Sequence, residues 1–86
     1  MMKPTVHYRG KAEFYKRPLA TMHKKTYGQY ADEEGNVEYA SVYGIDHPIL
    51  GEDTIRTSIV LHKYDDGSFE TMNTIYVPEK EKHESE

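Results

Sequence analysis

Apolar and polar residues alternate with a period of two over much of the second half of this chain. Val37, Tyr39, Ser41 and Tyr43 fall on one side of an extended segment, and Glu38, Ala40, Val42 and Gly44 on the other. Valine and tyrosine suit a half-buried pleated surface, so 37–45 predicts a strand. The segment Thr54 to Tyr64 alternates still more regularly. Ile55, Thr57, Ile59 and Leu61 point one way, and Arg56, Ser58, Val60 and His62 the other. Phe69 to Val77 predicts a last strand, ended by Pro78. Asp65-Asp66-Gly67 between these two runs marks a hairpin. A three-residue loop there needs its last residue in the left-handed region, which glycine supplies. In that register Val60 faces Met72, Ile55 faces Val77, Thr57 faces Ile75, Arg56 faces Tyr76 and His62 faces Glu70. It matches apolar residues with apolar residues and is preferred to a two-residue turn for that reason.

The first half is less regular. Thr5 to Tyr8 reads as a short extended piece, Arg9-Gly10 as a turn, and Lys11 to Lys16 as weakly alternating. Pro18 blocks a continuing helix. Over Leu19 to Ala31 two patterns compete. Met22, Thr26 and Tyr30 form a helical stripe, while Tyr27, Gln29 and Ala31 form a strand face. Gly28 tips the expectation to strand. Asp32-Glu33-Glu34-Gly35-Asn36 is a turn by composition, so 19–31 and 37–45 are expected to form a hairpin. Asp46 to Asp53 is a loop whose Ile49 and Leu50 are expected to plug one end of the core. The fold expected is mainly β: a small antiparallel meander or SH3-like barrel of about five strands over residues 1–78. Its alternatives are half of a β-sandwich closed by dimerisation, or an α+β domain if 19–30 is helical. The charged segment 79–86 is expected to be a disordered tail.

Composition sharpens this picture. The chain has 86 residues, and only 15 of them are Leu, Ile, Val or Phe, but eight tyrosines add ring surface. A domain this small buries a modest share of its surface, and without cysteine it has neither disulfides nor thiolate metal sites. Self-association is the remaining route to more buried area, so a homo-oligomer is expected. No run of about 20 apolar residues is present, so no membrane association is expected, and no apolar leader follows Lys3. Charge is uneven. Residues 1–29 carry seven Lys and Arg against Glu13 alone, a net +6, whereas 30–86 carry a net −10.

Candidate chemistry is sparse. Ser41, Ser58 and Ser68 sit in no nucleophile elbow, and the six glycines form no phosphate or dinucleotide loop. No catalytic residue and no cofactor are expected. Asp46-His47 is half of a metal site at most; the plainer reading is a capped loop. Three binding surfaces are candidates. Tyr39, Tyr43 and Tyr76 offer a tyrosine-rich sheet face for a host protein or another copy of the chain; tyrosine gives contact area at low entropic cost. Tyr8, Arg9, Lys11, Tyr15, Lys16, Arg17, Lys24 and Lys25 interleave rings with cations, as single-stranded nucleic acid requires. Arg56, Thr57 and Ser58 place a guanidinium beside two hydroxyls, sufficient for the phosphate of a small nucleotide.

The stretches Val42 to Gly51, Ile55 to Ser58 and Glu70 to Tyr76 resemble small, mostly uncharacterised proteins of tailed bacteriophages. The shared features are a strand ending in Gly, a His-Pro loop, a Thr-Ser on the next strand and a closing Asn-x-x-Tyr. The resemblance spans 42–77 and leaves the basic first third outside. It implies a phage genomic setting and action in the host cytoplasm, and it assigns no activity to any residue. The leading expectation is a non-enzymatic accessory protein that binds a host protein or itself, with single-stranded nucleic-acid binding as the alternative and sequestration of a small nucleotide by an oligomer as a third.

Overall fold

The computed structural model describes residues 3–79. The expected tail lies outside the described residues except for Glu79. Six strands make one sheet: β1 (Thr5–Pro18), β2 (Asn36–His47), β3 (Gly51–Arg56), β4 (Val60–Lys63), β5 (Phe69–Thr71) and β6 (Ile75–Pro78). Their spatial order is β3-β2-β1-β6-β5-β4. All ladders are antiparallel except β1 with β6, which is parallel and sets Val6 beside Tyr76. The mainly β expectation holds. The parallel pair at the centre of the sheet separates this connectivity from a simple meander.

The sheet is rolled. Val6 and Tyr8 from β1, Ala40 and Val42 from β2, Ile55 from β3, Val60 from β4, Phe69 from β5 and Tyr76 from β6 share one core. A flat sheet cannot bring side chains from all its strands into one cluster without a covering layer. Phe69 is fully buried at the centre, stacked on Tyr76 at 5.1 Å and met edge-on by Phe14 at 5.1 Å. Lys63 of the edge strand β4 crosses the roll, lying 4.2 Å above the Phe14 ring and pairing with Glu38 of β2 at 3.0 Å.

Several local expectations change. Residues 19–31 are not a strand. They form a 3-10 turn (Thr21–His23), a short helix α1 (Lys24–Tyr27) and a second 3-10 turn (Gly28–Tyr30). The segment is helical because it has no strand partner: β1 itself pairs with β2, Pro18 opposite Asn36. Met22, Thr26 and Tyr30 of the expected stripe are nevertheless all exposed. A second small core of Leu19, Val37 and Ile59, with Tyr27, Ala31 and Leu61 against it, holds the segment down. Arg9-Gly10 is not a turn but a bulge inside β1, where the four steps from Arg9 to Glu13 face two steps of β2. Gly10 takes the bulge's left-handed conformation, φ 79°.

The long strand expected over 54–64 breaks at Thr57–Ile59, and its two halves have different partners. β3 pairs with β2, while β4 pairs with β5. The hairpin at Asp65–Gly67 stands, with Gly67 at φ 95° and His62 opposite Glu70, but a bulge then sets Val60 against Thr71 rather than Met72. The pairings expected of Ile55, Arg56 and Thr57 with 75–77 do not form. Phe69–Val77 is also divided, because Thr71 Oγ1 donates to the Thr74 carbonyl (3.0 Å) and closes a turn between β5 and β6.

Candidate functional site

The outer face of β1, β2 and β3 collects side chains from three expected sites. Ladder register places Glu13, Ser41 and Arg56 in one row across the three strands, Tyr15 and Tyr39 in the next, and Arg17 and Val37 in the one after. Paired residues of adjacent strands share a face, and two residues advance the strand by about 6.8 Å. Glu13, Tyr15, Lys16, Arg17, Pro18, Ser41 and Arg56 line an open groove of about 610 Å³, while Val37 is buried in the second core and Tyr39 packs against it. Tyr15 and Tyr39 are stacked, 5.8 Å between centroids and 22° between planes. The Arg17 guanidinium lies 5.5 Å over the Tyr15 ring.

The cations of the chain divide sharply. Lys3 pairs with Glu70, Arg9 with Glu79 and Glu52, Lys16 with Asp32, and Lys63 with Glu38. The Glu79 hydrogen bond holds the Arg9 guanidinium even more firmly protonated than usual, and the Asp32 hydrogen bond does the same for Lys16. Arg17 and Arg56 have no carboxylate partner among the described residues. Both are exposed, and Glu13 is the acid nearest to them in the groove.

Other expected contacts lie elsewhere. Tyr8 is buried and its hydroxyl donates to the Gly67 carbonyl at 2.7 Å, so its ring belongs to the core and is closed to a base. Burial raises its hydroxyl above the ordinary value of 10.0. Lys11 lines a different cleft, and Lys24 and Lys25 sit exposed on α1. Tyr76 is buried under Phe69, which removes it from any docking face. Tyr43 is exposed, with its hydroxyl donating to Glu52 at 2.8 Å. Tyr39 is half-buried and is stacked with Tyr15 rather than grouped with Tyr43.

The Arg56-Thr57-Ser58 phosphate cradle does not form as a unit. Thr57 is buried; its Oγ1 accepts the Ala40 N–H (3.0 Å) and donates to the Ser58 carbonyl (2.9 Å). That hydroxyl completes the backbone where β3 ends, and only Arg56 of the three lines the groove. Asp46 is not paired with His47. It accepts both the backbone N–H and the ring Nδ1 of His7, at 2.6 and 2.7 Å. Among the described residues no group of three or more His, Asp and Glu is placed to hold a metal ion, and no helix is long and apolar enough to cross a membrane.

Glu13 and Ser41 were missing from the sequence-derived candidates. The available signal was the face alternation of 37–45, which sets Ser41 beside Tyr39; pairing 54–56 with that strand would have brought Arg56 to it. No family model, curated protein or solved structure matches the chain.

Proposed function

We propose that this protein is a non-enzymatic binding protein that holds a short stretch of single-stranded nucleic acid on the outer face of β1, β2 and β3. The observation that carries the reading is the Tyr15 ring, backed by Tyr39 and flanked in the groove by Arg17 and Arg56, the two arginines without a carboxylate partner among the described residues. A ring offers any base a stacking surface, and cations beside it follow the phosphates. Arginine also matches phosphate geometry with two parallel N–H donors. Ser41 supplies a hydroxyl between them. The host cytoplasm of a phage-infected cell, implied by the resemblance of 42–77 to phage proteins, would supply such strands.

Removing the basic first third is an unsuitable test, because β1 is central to the sheet. Substitution within the groove is the right one. A labelled oligothymidylate titrated by fluorescence anisotropy should bind with a log–log salt slope of about −1.4, from about 0.7 for each of two phosphates. Arg56→Ala should lower that slope by about half, and Tyr15→Ala should weaken binding by about 1–3 kcal/mol. Lys24→Ala should change little. Binding that ignores both groove substitutions, or no binding at low salt, would overturn the reading.

A further inference from the structure

Ile49 and Leu50 do not plug the core; both stand exposed at the tip between β2 and β3. Exposed aliphatic residues are ordinary and select no particular ligand. The tyrosine groove is more discriminating, because its unpartnered groups are charged and directional.

One of those groups is a carboxylate. Glu13 lines the groove together with Tyr15, Arg17, Ser41 and Arg56. It is exposed and, like Arg17 and Arg56, has no ion-pair partner among the described residues. By contrast, Lys3, Arg9, Lys16 and Lys63 each hold an acid. A carboxylate repels phosphate, so Glu13 adds nothing to the attraction for a nucleic-acid backbone. What it can accept is a donor on a base.

Its position suits that role. Glu13 and Tyr15 lie in successive rows of the β1–β2 ladder, on one face and about 6.8 Å apart along the strand. A base stacked on the Tyr15 ring can therefore turn one edge towards Glu13. An ionised carboxylate offers two acceptor oxygens and no donor. Guanine carries two adjacent donors on its Watson–Crick edge, N1–H and the N2 amine, which match the two oxygens as a parallel pair. Adenine and cytosine present one amine beside a bare ring nitrogen, whose lone pair would face the second oxygen. Thymine and uracil present one N–H between two carbonyls. Paired, charge-assisted hydrogen bonds are the stronger kind, and the unstacked bases of single strands are read on this edge.

We infer, on the strength of the nucleic-acid binding proposed above, that Glu13 makes the groove selective for guanine in a single strand. Tyr15 holds the base by stacking, Glu13 accepts N1–H and the N2 amine, and Arg17 and Arg56 take the neighbouring phosphates. Stacking and phosphate contacts by themselves are tolerant of sequence, so the choice of base falls to the carboxylate.

The test compares octathymidylate with octamers in which one central thymine is replaced by guanine, hypoxanthine or cytosine, each titrated by anisotropy against the full-length protein. The guanine octamer should bind about five- to tenfold more tightly than octathymidylate, the lower end of what a bidentate base contact gives. Hypoxanthine keeps N1–H but lacks the N2 amine, and it should lose most of that gain. Cytosine should gain little. Glu13→Gln exchanges one acceptor for a donor and should erase the guanine preference, with thermal unfolding unchanged because the side chain is exposed. Lys24→Gln should retain the preference. Octathymidylate binding that depends on Tyr15 and Arg56, with no gain from guanine, would overturn the selectivity and leave the nucleic-acid reading standing. A guanine preference that survives Glu13→Gln, or a preference for cytosine over guanine, would do the same. No binding of any octamer at low salt would overturn both.

Discussion

Asp32 shows how one side chain can organise a turn. Its carboxylate accepts the N–H groups of Glu34 (2.9 Å) and Asn36 (3.0 Å) and the Lys16 ammonium (3.1 Å). The Asn36 N–H does most to hold its pKa below the ordinary 3.8, with Lys16 next. The folded protein therefore binds a proton there less readily than the unfolded chain. The stabilisation is fully present above the unfolded value and is lost as pH falls through the lower folded one. Asp66, held low by the Ser68 N–H, and Glu70, held low by Lys3, act in the same direction. The urea midpoint should stay level from about pH 7 to about pH 5 and drop below about pH 4. Asp32→Ala should be less stable than the parent at neutral pH and should lose less on acidification. Two parallel pH curves would show that Asp32 contributes nothing to the linkage.

At the scale of elements, the decisive residue is Thr57. Its hydroxyl takes the Ala40 N–H in place of a strand carbonyl, while its own N–H donates to the Ala40 carbonyl at 2.8 Å. This is where the chain leaves β3 and starts towards β4. Thr57→Val keeps the shape and removes the acceptor, leaving a buried N–H unpaired, which costs about 1–3 kcal/mol. Urea unfolding should show that loss, while oligothymidylate affinity stays unchanged, because the hydroxyl faces the backbone and not the groove. The same residue explains what alternation alone conceals. Ile55, Thr57, Ile59 and Leu61 keep a perfect period of two across the break, since threonine fits a strand pattern whether it pairs or caps. The turn at Asp65–Gly67 and the facing of His62 and Glu70 were legible because Asp-Gly chemistry is local. The helical form of 19–30 was not, because it depends on β2 already occupying the edge of β1. The groove followed the same rule. The chemistry of Tyr15, Arg17 and Arg56 was visible one residue at a time, but their meeting required the pairing of β2 with β3.

The whole molecule resolves the charge imbalance of the chain by interleaving its two parts. β1, from the basic third, lies between β2 and β6, and Lys3, Arg9 and Lys16 each find an acid from the remainder. Such exposed pairs contribute little stability, so the fold rests on its rolled apolar interior. That interior is small and depends heavily on Phe69, the one side chain among the described residues whose ring meets those of Tyr8, Phe14 and Tyr76 together. A domain of this length has a total stability of about 4–13 kcal/mol. Truncating a buried phenylalanine to alanine costs about 3–5 kcal/mol, a large part of that total. Phe69→Ala should therefore be largely unfolded or close to it at room temperature, with loss of the near-ultraviolet tyrosine dichroism. Phe69→Leu fills most of the space and should remain folded with a lowered urea midpoint. Phe14→Ala should cost distinctly less, because that ring is already 36% exposed and closes the roll from its margin. Equal losses for Phe69→Ala and Phe14→Ala would mean that the strands do not converge on Phe69, and a sheet without that convergence has no reason to roll.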